Sequence, residues 1–278
     1  MNPIVYYIKQ KLQGYYTESE AVSIAKLLLT QVFGMPVIEL YAGKDNSFSA
    51  KEQKQLDDIL IRLQNYEPVQ YIIGVEDFYG LTFEVDPNVL IPRPETEELV
   101  DWIIQENRDA GLRVLDIGTG SGCIAVSLAK NLEDAEVTAW DVSEGALRVA
   151  ARNCRRNGVD VRLEQKDILQ LSSSDRYFDI IVSNPPYIAE KEKADMESNV
   201  LDWEPGLALF VPDEKPLLFY RKISELGLGM LKPGGRLFFE INRAYGRQIV
   251  EMMSVLGYRN IELKKDISQN DRMIKAER

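Results

Sequence analysis

"VLDIGTGSGCIA", Val114 to Ala125, is the stretch on which the fold turns. "VLDI" is a short apolar run with one acid, as a buried strand would have. Gly118, Gly120 and Gly122 then fall at every second position, and an apolar helix-forming run starts at Cys123. Glycines permit a tight turn and let a ligand approach the backbone, and the helix N-terminus beyond them favours polar groups. A nucleotide-like group is expected there; a purely structural strand-to-helix turn is the other reading. The dinucleotide fingerprint G-x-G-x-x-G would need glycine at 123, where Cys123 stands.

Outward from this loop, the chain alternates strand-like and helix-like runs: "LRVLDI", "CIAVSLAKNL", "EVTAWD", "ALRVAARNCRRNG", "VRLEQKD" and "FDIIVS". That rhythm predicts a mostly parallel sheet covered by helices on both faces. "LLFYRKISELGLGMLKPGGRLFFEI" predicts a helix, a Pro-Gly-Gly turn and another buried strand. A last helix and an antiparallel edge hairpin, "RNIELKKD" with "RMIKAER", follow. Before the loop, Thr17 with Glu20 and Ser49 with Glu52 form capping boxes ahead of apolar stripes, so the first seventy or so residues read as a small helical bundle. "EPVQYIIGVEDFYGLTFEVDPNVLIPRPETEELV" between them reads as a hairpin or extended linker.

Composition removes whole classes of function. The 278 residues contain no histidine, which excludes histidine triads, histidine metal ligands and imidazole acid–base chemistry. A formal charge of −11 disfavours duplex DNA as a default partner. Cys123 and Cys154 have no metal-ligand or disulfide spacing, so no metal is expected. With neither a signal peptide nor a membrane-length run at hand, the chain reads as cytosolic.

The G-x-G-x-G loop resembles that of class I S-adenosylmethionine (SAM) methyltransferases, in which the methionine part of the cofactor lies across the turn. The loop residues Gly118, Thr119, Gly120, Ser121 and Gly122 are then cofactor-binding. Asp141, at the end of "EVTAWD", suits both hydroxyls of an adenosine ribose, although Ser143 beside it also suggests a helix cap. Asp167, followed by Ile168, is a candidate for the adenine amino group, or else a solvated loop acid. At the end of "FDIIVS" the chain turns through Asn184, Pro185, Pro186 and Tyr187, on the same sheet edge. Proline lacks an N–H, so the Pro185 carbonyl and the Asn184 side-chain oxygen can both accept hydrogen bonds from one NH₂ group. Tyr187 offers a flat face for the planar group bearing that nitrogen. Such an N-P-P-Y corner resembles that of amino-methyltransferases acting on adenine, cytosine, guanine or protein glutamine.

"EPVQYIIG", "FYGLTFEVDPNVLIPRPETEELV", "DIGTGSGCIA" and "NPPYI", in that order behind a helical segment, resemble the peptide chain release factor N5-glutamine methyltransferase family. "LDWEPGLALF", "GGRLFFEI" and "DRMIKAER" extend the likeness across nearly the whole chain. Asn242 stands where the family pattern has glycine, and "DEKPL" replaces an Asp-Gly turn. The resemblance implies a Rossmann-like α/β fold: a seven-stranded, mostly parallel sheet with an antiparallel edge strand. It also implies a helical substrate-docking domain over residues 1–72, a β-hairpin linker over 73–92 and a SAM-dependent methyltransferase domain over 93–278. The implied reaction methylates the glutamine amide of the Gly-Gly-Gln loop in release factors. Asn184, Pro185 and Tyr187 would be catalytic, Asn184 would also border the cofactor, and Asn184 to Tyr187 would bind substrate, with docking on the helical domain and residues 188–216. No direct nucleic-acid or membrane partner and a monomeric state are expected. Base methylation of a nucleic acid, or SAM binding without catalysis, are the alternatives.

Overall fold

The computed structural model describes residues 2–42, 48–173 and 177–278. In chain order it contains helices α1 (Pro3–Lys11), α2 (Glu18–Gln31), α3 (Val37–Ala42), α4 (Ala50–Gln64) and α5 (Val69–Ile73), then strands β1 (Val75–Phe78) and β2 (Leu81–Glu84). There follow α6 (Pro94–Glu106), β3 (Arg113–Ile117), α7 (Cys123–Asn131), β4 (Glu136–Asp141), α8 (Glu144–Asn157), β5 (Arg162–Gln165), β6 (Phe178–Ser183) and β7 (Ile188–Ala189). The chain closes with α9 (Ser198–Trp203), α10 (Gly206–Leu209), β8 (Phe210–Val211), α11 (Leu218–Met230), β9 (Leu231–Glu240), α12 (Gly246–Leu256), β10 (Arg259–Lys265) and β11 (Asp271–Glu277). Among the described residues no helix is long and apolar enough to cross a membrane.

Contacts divide the chain into two compact units, residues 1–74 with 197–203, and residues 75–196 with 204–278. The first is helical. Both capping boxes close as their sequences require: the Thr17 N–H donates to Glu20 at 2.9 Å and the Ser49 N–H to Glu52 at 2.8 Å, which satisfies donors that a helix start leaves open. The apolar stripes then meet, with Ile8, Leu12, Leu28, Leu29, Leu56, Leu60 and Leu63 buried together. Each such side chain taken out of water contributes roughly 1.5–3 kcal/mol. "EPVQYII", expected to be extended, instead supplies α5, which ends on Gly74 in the left-handed region at φ +85°.

The second unit is built on a seven-stranded sheet in the order β10-β11-β9-β6-β3-β4-β5. The pairs β3–β4, β4–β5, β3–β6 and β6–β9 are parallel, whereas β11 pairs antiparallel with both β9 and β10. The one reversed strand therefore lies one place in from the edge. Successive side chains of a strand alternate in face, and the cores follow that period: Val114, Ile180, Val182 and Phe238 pack with α6 and α7, while Leu115, Ile181, Leu237 and Phe239 pack with α11 and α12. Pro233–Gly235 do not form a separate turn before the last parallel strand. They bulge within β9, where pairing with β6 jumps from Phe178↔Leu231 to Ile180↔Arg236 and Gly234 takes φ +76°.

The hairpin β1–β2 turns through Tyr79 and Gly80, both at positive φ (+48° and +72°), which suits the right-handed twist of its strands. It is packed into the second unit. Phe78 and Phe83 meet edge to face at 5.9 Å inside the core, and Arg152 of α8 holds Glu84 at 2.7 Å and Asp86 at 2.8 Å. In chain order the sheet grows from β3 through β4 to β5, then restarts at β6 on the other side of β3. Such a switch opens a crevice at the carboxyl ends of the strands.

Candidate active site

A cavity of about 260 Å³ lies in that crevice. Its wall includes Gly118, Thr119, Gly120 and Ser121 from the turn after β3, Asp141 at the end of β4, Asp167 and Ile168 after β5, and Asn184, Pro185 and Pro186 after β6. Ten of the sequence-predicted residues thus meet in one place. Gly122 and Tyr187 do not line it.

The turn is held by its own backbone. The N–H groups of Gly118 and Thr119 both donate to the Trp140 carbonyl, at 2.8 and 3.0 Å, and the Gly120 N–H donates to Asp141 Oδ2 at 2.9 Å. Gly118 and Gly120 occupy φ +77° and +55°, where a side chain would be strained. Gly122 is different. A Cβ there would lie 3.2 Å from the Ala150 Cβ, so this glycine serves the close packing of the turn on α8.

The carboxylates are used unequally. Asp141 accepts from the Gly120 and Ser143 N–H groups, one per oxygen, and each oxygen keeps a lone pair for a ligand hydroxyl. Burial raises its pKa. Asp167 accepts from the Leu169 N–H at 2.9 Å and from Gln170 Nε2 at 2.7 Å, so it organises its own loop as well as lining the cavity. Asp116, which precedes the cavity wall by one residue, is fully buried. Thr119 Oγ1 donates to its Oδ2 at 2.7 Å, while its Oδ1 has no hydrogen-bond partner among the described residues. Burial, aided by the charge of Asp141, pushes its pKa up to about 7.

At the proline corner, Ser183 Oγ donates to the Ile117 carbonyl at 2.6 Å and pins the end of β6 to β3. Asn184 Nδ2 donates to Thr96 Oγ1 at 3.3 Å, which leaves Oδ1 as the end of that amide available to a ligand. Tyr187 turns away from the cavity expected to receive its ring. It packs on the α11–α12 core and donates its hydroxyl to Glu240 Oε1 at 3.1 Å. Burial and the charge of Glu240 raise its pKa, so the hydroxyl remains a donor. Asn242 bonds the Tyr187 carbonyl at 3.1 Å and Glu192 at 3.2 Å, so the residue that replaces glycine ties the strand end to the corner. The "DEKP" departure forms a turn closed by the Lys215 N–H on the Pro212 carbonyl, with Asp213 accepting from the Lys191 N–H.

Several residues of the cavity were missed. Asn88 to Leu90, Pro92, Arg93 and Thr96 come from the stretch read as linker and helix start, and Leu207, Phe219 and Ile223 from segments given no site role. The signal was the density of prolines in "LIPRPE", which stiffens the buried approach to α6, whose first residue is Pro94. Arg93 ion-pairs with Glu204, and the buried Glu204 also accepts from the Ile91 N–H at 3.2 Å, so this carboxylate joins two walls of the cavity. Cys123 lines the site as an inert thiol, its pKa pushed up to about 12 by burial.

Two family models match the chain: "Methyltransferase small domain" over residues 96–202 and "PrmC N-terminal domain" over residues 5–74. A release factor glutamine methyltransferase from Bacteroides thetaiotaomicron is 51% identical over 279 aligned positions, covering 100% of both chains. One from Flavobacterium psychrophilum is 47% identical and covers 96% of this chain and 95% of its own. A solved methyltransferase structure from Pyrococcus furiosus superposes with a TM-score of 0.52 at 21% identity, covering 82% of this chain and 98% of that one, and supports the fold alone.

Proposed function

The chain belongs to the release factor glutamine methyltransferase family, and on that premise we propose that it methylates the side-chain amide nitrogen of the glutamine in the Gly-Gly-Gln loop of translation release factors. The products are N5-methylglutamine and S-adenosylhomocysteine. The reading is supported above all by one juxtaposition: the acceptors of Asn184 and Pro185 share a cavity wall with the glycine turn and Asp141.

The residues present fit a cationic nucleoside cofactor. Two carboxylates, Asp141 at the end of β4 and Asp167 after β5, line the cavity, and much of the remaining wall is apolar. S-adenosylmethionine, when bound, supplies a methyl group already activated on a sulfonium centre. Gly118 to Ser121, Asp141, Asp167 and Ile168 would hold it. On the substrate side, an amide nitrogen is a poor nucleophile because its lone pair is delocalised into the carbonyl. Asn184 Oδ1 and the Pro185 carbonyl, accepting one N–H each, favour the pyramidal nitrogen whose lone pair forms the new bond to carbon. The displaced proton leaves to solvent. Because the acceptors are fixed and the gain comes as the nitrogen pyramidalises, they act mainly on the transition state. Alignment of this kind contributes roughly 7 to 11 kcal/mol in well-oriented systems. Tyr187 holds the corner in shape and does not stack on the substrate.

The helical unit and the segment 188–216 are the surfaces proposed to receive the release factor, in the cytoplasm and with the enzyme as a monomer. Incubating the enzyme with methyl-labelled SAM and either whole release factor or DNA tests the proposal. Label is expected on the release factor alone, at the Gly-Gly-Gln glutamine, and is expected to fall about 30- to 1,000-fold in rate for N184A, as when one fixed transition-state hydrogen bond is lost. Label on the DNA would favour base methylation instead.

A further inference from the structure

Glu240, at the end of β9, is 1% exposed and has no basic side chain within ion-pairing distance among the described residues; burial raises its pKa, and the Thr96 and Tyr187 hydroxyls and the charge of Arg272 act against that rise and favour its charged form. An acid in that position is costly, and a glutamine or an apolar residue would fill the space more cheaply. Its two oxygens have one hydroxyl donor each: Thr96 Oγ1 on Oε2 at 2.6 Å, and Tyr187 on Oε1 at 3.1 Å. Thr96 is 2% exposed and is in turn the acceptor for Asn184 Nδ2.

The polarity of this chain follows from its buried end. A carboxylate only accepts, so the Thr96 proton is committed to Glu240 and the Thr96 oxygen can offer only a lone pair to its other neighbour. The two ends of an asparagine amide have nearly the same shape, so packing alone does not choose between them. A neighbour of fixed polarity does. An acceptor at Thr96 attracts the NH₂ end of Asn184 and turns the oxygen towards the substrate.

We propose that Glu240, acting through the Thr96 hydroxyl, sets the orientation of the Asn184 amide, so that Thr96 and Glu240 are positioning residues for methyl transfer. The inference rests on the proposed role of Asn184 as acceptor for the substrate amide. A glutamine at 240 could donate to Thr96, release the Thr96 proton to Asn184 and present an NH₂ group to the substrate's own NH₂. Such a reversal impairs transfer without emptying any space.

The test compares T96V, T96S and E240Q with wild type in the full-length enzyme. Three quantities are measured: the single-turnover rate at saturating SAM and release factor, the KM for release factor, and the SAM dissociation constant by calorimetric titration. T96V and E240Q are expected to lose about 10- to 100-fold in rate. KM and SAM affinity should stay within about threefold, the range of small shifts in packing. T96S, which keeps the hydroxyl and loses the methyl, is expected to restore most of the rate. Wild-type rates in both T96V and E240Q would overturn the proposal, and so would T96S no faster than T96V, because the methyl group would then be what matters. Should T96V not fold, the E240Q rate and the T96S rate decide alone. A wild-type enzyme silent on release factor would overturn the functional reading itself, and this inference with it.

Discussion

Asp116 is fully buried beside the glycine turn, with Thr119 donating to one oxygen and no hydrogen-bond partner on the other among the described residues. Its pKa rises from 3.8 in the open chain to about 7 in the fold, so the folded state binds a proton that the unfolded chain has released. The sign follows from linkage: stability is greatest below about pH 4, and this residue's share of it is lost as pH rises towards 7. In D116N, unfolded by urea without cofactor, the gain over wild type should be roughly 2 to 3 kcal/mol larger at pH 8 than at pH 5. A gain that does not vary with pH would contradict the burial argument. At this scale the sequence reveals local patterns and conceals distant ones. That Asn184 and Pro185 line the cavity was legible because they fall in one run of four residues at a strand end. Thr96 and Glu240, which bond each other, are 144 positions apart, and no local pattern connects them.

The turn between β3 and α7 does two jobs with three glycines. Gly118 and Gly120 let the backbone line the cavity, whereas Gly122 lets α8 approach the turn. G122A forces a side chain into φ +82° and against Ala150. It should lose roughly 1 to 3 kcal/mol of stability, read as a lower urea midpoint, with less effect on SAM affinity than G118A or G120A. An unchanged midpoint would contradict this division of roles. Strands and helices around the loop were readable from their periods, because strands covered on both faces are apolar throughout and the helices carry apolar stripes. "LKPGGRLFFE" misled for a physical reason: proline and glycine usually end strands, and here the register jump between Leu231 and Arg236 takes them up as a bulge inside β9, with the Arg278 N–H donating to the Gly235 carbonyl. "EPVQYII" misled in the other direction, since its aromatic and branched residues favour strands while its packing in the helical unit makes them α5.

Across the whole molecule, the two units each hold their own hydrophobic core: one in residues 1–74, and one on each face of the sheet. A chain of residues 75–278 is therefore expected to unfold cooperatively on heating and to bind SAM within about threefold of the full-length enzyme, as independent units do. Its activity on whole release factor should fall at limiting substrate, because the proposed docking surface of residues 1–74 is gone. Undiminished activity would remove the docking role. The family was legible across nearly the full length because its motifs follow one another from "EPVQYIIG" to "DRMIKAER". The acidic charge and the lack of histidine narrow the chemistry independently of any motif, yet neither names the substrate. A structure of the enzyme with S-adenosylhomocysteine and a Gly-Gly-Gln peptide tests the central claim most directly. The glutamine Nε2 is expected about 3 Å from both Asn184 Oδ1 and the Pro185 carbonyl, with the cofactor sulfur on its open side. A glutamine amide held elsewhere, or one meeting the NH₂ end of Asn184, would contradict it.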